Sequence, residues 1–281
     1  MKKLLLSASA IALATFAGSA FAADLPSRKA PVLFEAPAAP LWTGFYVGLN
    51  AGYTFSNTDT LTNSYWDTGA AGFGGGLLNG AFPGAFNLKN DGFIGGGQIG
   101  YNYQFGSIVA GFEADIQGVA GASNSASYFF PGNAAFVPAV TQASRSLDYL
   151  GTARARVGYL FTPTVLAYVT GGLAYGQATV KAGYFGPAFA PPLAIGSSFS
   201  DTRVGFAVGG GIECLFHPNW SAKIEYLYYD LGSVTSPTSY YPYGAALSGA
   251  QISSRYDGHI VRAGLNYHFN FGAPGPVVAK Y

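Results

Sequence analysis

Ile108-Val109-Ala110-Gly111-Phe112-Glu113-Ala114-Asp115-Ile116-Gln117 is the stretch on which the fold turns. Successive side chains of a strand point to opposite faces. Ile108, Ala110, Phe112, Ala114 and Ile116 therefore share one face, and Glu113, Asp115 and Gln117 share the other. Seven more segments from Trp42 onward keep the same period. Phe45 to Phe55 sets Phe45, Val47, Leu49 and Tyr53 against Asn50 and Thr54, and the next strand sets Ile99, Tyr101 and Phe105 against Gln98, Asn102 and Gln104. Leu147 to Phe161 sets Leu147, Tyr149, Ala153 and Val157 against Asp148, Thr152, Arg154 and Arg156. Val165 to Gln177 and Arg203 to Phe216 follow, the latter with Val204, Phe206 and Ile212 on its apolar side. Trp220 to Tyr229 opposes Ile224 and Tyr226 to Lys223 and Glu225, and the last strand opposes Val261, Leu265 and Phe269 to Arg262, Asn266 and His268.

Each segment is long enough to cross a bilayer, which takes about 9–11 tilted strand residues. An even number of antiparallel strands can close and leave no edge. The connections alternate in length: Gly106-Ser107, Thr162-Pro163-Thr164 and His217-Pro218-Asn219 are tight, whereas residues 56–92, 118–146, 178–202 and 230–258 are long. The pattern predicts an all-β fold, an eight-stranded antiparallel up-and-down transmembrane β-barrel with long extracellular loops and short periplasmic turns. Soluble domains rarely carry four such loops.

The first 22 residues agree with export. Lys2 and Lys3 precede an apolar run from Leu4 to Phe16 and end at Ala20-Phe21-Ala22, the order of a secretory signal peptide (residues 1–22). No Cys follows that cleavage point, so no lipid anchor is expected there. Residues 23–41 carry Pro26, Pro31, Pro37 and Pro40 and read as an extended periplasmic arm; 42–271 form the barrel and 272–281 a periplasmic tail. Only 10% of residues are charged while 16% are aromatic, and 40 are glycine. An ordinary soluble domain carries about 25% charged residues. Without Lys2 and Lys3 the chain holds 12 basic and 13 acidic residues, a balance that gives nucleic acid no purchase. Cys214 is the single cysteine and reads as a small apolar strand residue.

The charges say which face is inside. Glu113, Asp115, Asp148, Arg154, Arg156, Arg203, Glu213, Lys223, Glu225 and Arg262 all fall opposite the apolar rows. Tyr and Phe crowd the ends of those rows, as expected of aromatic girdles at two membrane interfaces. Eight strands leave an interior that side chains just fill, and a lone charge there is costly. Folding about Pro218 puts Glu213 across from Lys223; Glu113 and Asp115 come near the heights of Arg156 and Arg154, and Glu225 near Arg262. The expected lumen charge network is Glu113, Asp115, Arg154, Arg156, Glu213, Lys223, Glu225 and Arg262, with no through-going hole.

Four segments carry a family resemblance: Ala22-Ala23-Asp24-Leu25-Pro26, Trp42-Thr43-Gly44-Phe45-Tyr46-Val47-Gly48, Trp220 to Gly232 (WSAKIEYLYYDLG) and Val261 to Phe269 (VRAGLNYHF). Through them the chain resembles the small outer-membrane β-barrel proteins of rhizobia, brucellae and related alphaproteobacteria, a porin-like family with an OmpA-type barrel. The likeness spans nearly the whole chain and is weakest in the long loops. It implies a passive surface barrel of the bacterial outer membrane, with outer-membrane lipid and lipopolysaccharide as surroundings. Gly264, Tyr267 and Phe269 look like the signal read by the barrel-assembly machinery; relatives commonly stop near this aromatic, whereas this chain runs on to Tyr281.

The favoured function is structural, with aromatic, proline-rich loops (Tyr128 to Pro131, Tyr184 to Pro187, Tyr240 to Tyr243) as a contact surface for lipopolysaccharide, host or a small ligand. A small diffusion pore is the second reading, and a receptor or adhesin for an apolar ligand such as haem the third. An enzyme is not expected: among His217, His259 and His268 only His259 lies near a rim, beside Ser253, Ser254 and Asp257, in no triad motif. Neither a Cys/His cluster of metal-ligand spacing nor a phosphate loop stands in the sequence, so no cofactor is expected. A soluble lipocalin-like barrel would reverse the two faces. Membrane fractionation with a heat-shift gel separates these readings: we expect the protein in the membrane fraction with heat-dependent mobility, and a soluble band of constant mobility favours the lipocalin.

Overall fold

The computed structural model describes residues 41–67, 83–133, 137–186, 193–236, 239–243 and 246–269. The proposed signal peptide, all of the arm before Leu41 and the tail lie outside the described residues. Among the described residues twelve strands follow one another: β1 (Gly44–Ser56), β2 (Thr60–Asp67), β3 (Ala85–Asn87), β4 (Gly92–Phe105), β5 (Ile108–Ala120), β6 (Ser123–Phe130), β7 (Ala139–Thr162), β8 (Val165–Gly186), β9 (Leu193–His217), β10 (Trp220–Thr235), β11 (Ser239–Tyr243) and β12 (Ala246–Phe269). Eight of them, β1-β4-β5-β7-β8-β9-β10-β12, form a ring of antiparallel neighbours that closes where β12 pairs with β1, from Phe45 opposite Phe269 to Ser56 opposite Gly258.

The tight turns sit where expected. At Gly106-Ser107 the glycine takes a φ of 59°, the left-handed conformation that a two-residue hairpin favours. The long connections differ from the sequence reading. Much of 118–146, 178–202 and 230–258 is strand: β8 runs nine residues past Gln177, and β9 begins ten residues before Arg203. The sheet gains further pieces in β2 and β11 beside β12, β3 beside β2, and β6 beside β7. The reason is chemical. Above the membrane the outward residues become Ser, Thr and Gln while inward Leu147, Ala178 and Val180 are apolar, so the apolar outer row ends while the ladder hydrogen bonds continue.

One face assignment is also corrected. A bulge between Leu147 and Leu150 shifts the β7–β8 register. Leu147 therefore points inward and is buried, and Asp148 is exposed on the outer face. A bulge adds one residue and reverses the parity beyond it.

Outward, the ring carries an apolar belt between two aromatic bands. Leu49, Phe112, Val169 and Ile224 are 67–72% exposed at mid-height. Near the turns Phe45 meets Tyr101 at 4.8 Å and Trp220 meets Tyr267 at 5.2 Å. At the other edge Tyr53 meets Phe93 at 5.0 Å, Tyr149 meets Tyr175 at 6.5 Å and Phe206 meets Tyr228 at 6.1 Å. Phe45 to Phe55 covers about 33 Å of strand, or about 25 Å once tilted by about 40°, the height of a membrane barrel's apolar band.

Inward, the ring is filled in three layers. At the turn end Trp42, Val109, Leu160, Leu166, Tyr168 and Leu215 form an apolar floor, and Trp42 Nε1 donates to the Pro163 carbonyl at 3.0 Å. Ionic and amide side chains occupy the middle. Toward the hairpins a larger apolar cluster that includes Ile94, Leu150, Leu227, Leu231, Tyr256 and Ile260 fills the remainder.

Arg145 crosses that upper cluster. Its guanidinium is buried and donates to the carbonyls of Thr58 (2.5 Å), Leu88 (3.4 Å) and Arg255, and it lies 4.3 Å above the Tyr256 ring. Among the described residues it has no carboxylate within ion-pair reach. Three separate segments thus meet on one cation. Nearby, Asn57 donates through its backbone and its amide to Asp257. Burial alone would push the Asp257 carboxyl up, but hydrogen bonds from Asn57 and Thr58 hold it below the usual carboxylate range. Replacing Arg145 with Leu strands three carbonyls, so we expect urea unfolding in detergent to show a loss of about 2–4 kcal/mol. A loss within about 0.5 kcal/mol, the size of an ordinary surface change, would show that the segments are held by other contacts.

Candidate functional site: the ionic layer

The middle layer is built from inward positions of five strands: Glu113 and Asp115 on β5, Arg154 and Arg156 on β7, Glu213 on β9, Lys223 and Glu225 on β10 and Arg262 on β12. All eight are buried. Four carboxylates face four cations, and the layer is neutral as a unit.

Arg154 joins three acids, reaching Glu113 at 2.7 Å, Asp115 at 3.0 Å and Glu225 at 2.9 Å. Arg262 reaches Asp115 at 2.9 Å and Glu225 at 2.6 Å. Lys223 Nζ lies 2.7 Å from both oxygens of Glu113. Arg156 binds Glu213 at 2.5 Å and rests 4.1 Å above the Tyr168 ring. Each carboxylate therefore accepts from more than one donor, the condition under which burying charge becomes tolerable.

Neutral groups complete the set. Tyr46 Oη donates to Glu113 at 2.8 Å and accepts from Arg156 at 3.0 Å. Gly100 makes room for it: a Cβ there would lie 2.3 Å from the Tyr46 ring. Ser221 and Asn266 donate to Glu213 at 2.5 and 2.8 Å, Thr152 donates to Asp115 at 2.7 Å, and Tyr168 donates to Glu225 at 3.1 Å. A further amide chain runs from Asn50 to Gln98 to Asn266.

Backbone heights and side-chain partners differ in an instructive way. Lys223 stands opposite Glu213, and Glu225 opposite Arg262. Glu225 and Arg262 bond directly, but Lys223 reaches across the lumen to Glu113, leaving Glu213 to Arg156. Glu113 stands opposite Arg154, and Asp115 opposite Thr152, one step from the expected heights. Long side chains in a narrow tube choose partners across it as readily as along a ladder. Tyr46 and Tyr168 were legible only as residues of polar parity; their size at a lumen position was the signal. Arg145 lay in a segment read as loop, and no parity signal marked it.

Gly264 lies inward beside Lys223, while Tyr267 and Phe269 belong to the turn-end aromatic band. His259 faces outward, its Nδ1 2.6 Å from Tyr226 Oη; Ser254 is buried on the inner side, and Asp257, which shares the outward parity of His259, is buried beside Asn57. His268 contacts Ser221 at 2.8 Å, within the closed interior. Among the described residues, no three His, Cys, Asp or Glu groups are placed to hold a metal ion.

The sequence profile of the outer membrane protein beta-barrel domain family matches residues 8–269. The chain is 33% identical over 281 residues to the 31 kDa outer-membrane immunogenic protein of Brucella melitensis biotype 1, covering 96% of this chain and all of that protein. It is 28% identical over 237 residues to the 22 kDa outer membrane protein of Rhizobium leguminosarum bv. viciae, covering 84% and 82%. Among solved structures, Neisserial surface protein A aligns over 81% of this chain and 98% of its own, at 14% identity and a TM-score of 0.36.

Glu113 touches the most cations, so Glu113→Gln tests the layer. Losing its charge leaves four buried cations against three carboxylates, and we expect about 3–5 kcal/mol less unfolding free energy in detergent. The double variant Glu113→Gln, Lys223→Met restores neutrality and should recover part of that loss. A single-variant cost below about 1 kcal/mol, typical of exposed pairs, would show that the charges are hydrated rather than locked together.

Proposed function

We propose a structural and surface-contact role for this chain, which belongs to the outer membrane protein β-barrel family and resides in the bacterial outer membrane. The observation that carries the reading is the filled interior. An apolar floor closed by Trp42, a neutral layer of eight charges and an apolar cap succeed one another along the axis. An ion entering from either end would have to displace packed hydrocarbon before reaching a charge that is already paired. The barrel is plugged, and its work lies on its outer surfaces.

Residues 1–22 direct export, 23–41 and 272–281 lie on the periplasmic side, and Gly264, Tyr267 and Phe269 serve the barrel-assembly machinery. The extracellular hairpins form the contact surface. Chemistry is disfavoured by access: Ser221, His268 and Glu213 touch one another, but they are sealed inside where no substrate reaches them. A receptor role for an apolar ligand such as haem finds support in Phe129 and Phe185, 64% and 45% exposed at the hairpin end.

Planar-bilayer recording tests the plug. Pure, heat-modifiable barrel inserted into a lipid bilayer should give no sustained conductance. A steady open level that depends on this protein would replace the structural reading with a porin.

A further inference from the structure

Above the outer aromatic band, the exterior of β6, β7, β8 and β9 changes character. The register aligns outward residues in rows across the four strands. Immediately above Tyr149 and Tyr175 come Asp148, Gln177 and Thr202, and above these a row of Ser123, Ser146, Thr179 and Ser200. The next row is Ser125, Ser144, Lys181 and Ser198, and the one above it is Ser127, Gln142, Gly183 and Gly196. Phe129, Val140 and Phe185 close the top.

This face is a shaped surface. The facing glycines leave a depression, and a groove of about 440 Å³ lies there, lined by Ser125, Ser144, Lys181 and Ser198 among others. Hydroxyls of the Thr179 row are already engaged: Thr179 and Ser200 share a bond of 2.9 Å, Gln177 donates to Ser200 at 3.0 Å, and Ser146 donates to the exposed Asp148 at 3.3 Å. In the Lys181 row, by contrast, the side chains make no hydrogen bond or ion pair among the described residues. Lys181 is the one cation in these rows, and Asp148 lies below it toward the membrane.

We propose that this groove binds the anionic sugar headgroup of the outer leaflet's own glycolipid, lipopolysaccharide. Height favours that source. Lys181 lies six residues above Tyr175, about 20 Å of strand and about 15 Å along the membrane normal, beyond the hydrocarbon and within the layer that phosphorylated sugars occupy. The apolar belt already commits the surface below to the same lipid's acyl chains, so the groove continues an existing interface. Chemistry agrees. Hydroxyls both donate and accept, matching sugar hydroxyls; Lys181 supplies charge for a phosphate or carboxylate; and Phe129 and Phe185 offer ring faces to the C–H faces of pyranoses. This inference rests on the proposed surface-contact role and assigns it a site.

The test uses full-length barrel stripped of native lipid and refolded in detergent. The probes are lipopolysaccharide bearing its phosphorylated inner sugars, the same lipid trimmed of all sugars beyond its acylated disaccharide, and the released oligosaccharide alone. The variants are Lys181→Gln and Gly196→Ile. A Cβ at Gly196 meets only the Ala182 carbonyl, at 4.0 Å, so the isoleucine fills the groove without disturbing the strand; unchanged heat-shift mobility checks this. Wild type should prefer the sugar-bearing lipid, and each variant should weaken that preference about threefold to tenfold, the size of one charge-assisted hydrogen bond. Equal binding by wild type and both variants overturns the site while leaving the surface role standing. Wild type that retains neither lipid overturns the surface role itself. Oligosaccharide alone binding as tightly as the sugar-bearing lipid, with the same loss in Lys181→Gln, overturns the membrane as the source of the ligand.

Discussion

Four carboxylates and four cations occupy a cylinder too narrow to hydrate them, and most other features of the barrel follow from that confinement. A charge taken from water without a partner is very costly, and within a low-dielectric interior only direct opposition and added hydrogen bonds make up the difference. The eight-stranded ring brings Arg154 within 3.0 Å of three acids on two different strands. No pair in this layer is isolated. Glu113 alone connects β5 to β7 and β10, so the layer braces the tube across its diameter as well as neutralising charge.

The same layer guards the register. Sliding any of its strands by one residue would turn Glu113, Arg154 or Lys223 toward lipid. Cationic side chains at the bilayer midplane of a barrel cost about 2–4 kcal/mol each, and the partners left inside would lose their compensation too. The apolar outer rows impose the matching penalty from the other side, because Leu49 or Phe112 turned inward would meet carboxylates. Interior and exterior therefore select one alignment together. Glycine fits this scheme where large lumen side chains need space, as Gly100 shows beside Tyr46.

How much of this could be read from the sequence depended on hydrophobic contrast. Where a strand separates lipid from a polar lumen, as from Ile108 to Gln117, the alternation is strong, and both its path and its faces are legible. Where β7, β8 and β9 leave the membrane, the outer row turns polar, as in Ser144, Lys181 and Ser198, while inward Ala178, Val180 and Phe199 are apolar; the same backbone ladder continues with the two faces exchanged, so the apolar outer row that marked the strands below is gone. The bulge beyond Leu147 inverted a face because inserting a residue leaves composition unchanged while reversing parity. Partner choice in the ionic layer was legible only where ladder neighbours bond, as Glu225 and Arg262 do. Lys223 abandons its ladder neighbour because its four-carbon stem spans the lumen to Glu113, and strand pairing alone does not encode that reach. Arg145 escaped because its partners are carbonyls, which every residue has.

Arg145 and the ionic layer also show two answers to one electrostatic problem at different depths. At the membrane's mid-height, cations meet carboxylates, and the resulting neutrality lets a lipid-wrapped tube close. Higher up, where the hairpins project beyond the apolar belt, a single guanidinium needs only partial negative charge and takes it from the carbonyls of Thr58, Leu88 and Arg255. Thr58 and Leu88 lie between strands and Arg255 lies beside the β10 bulge, and one planar donor reaches the carbonyls of all three segments. The extracellular hairpins are thereby fastened to the barrel from within. Their outer faces remain available to present hydroxyls, a lysine and aromatic rings to whatever lies at the surface of the membrane.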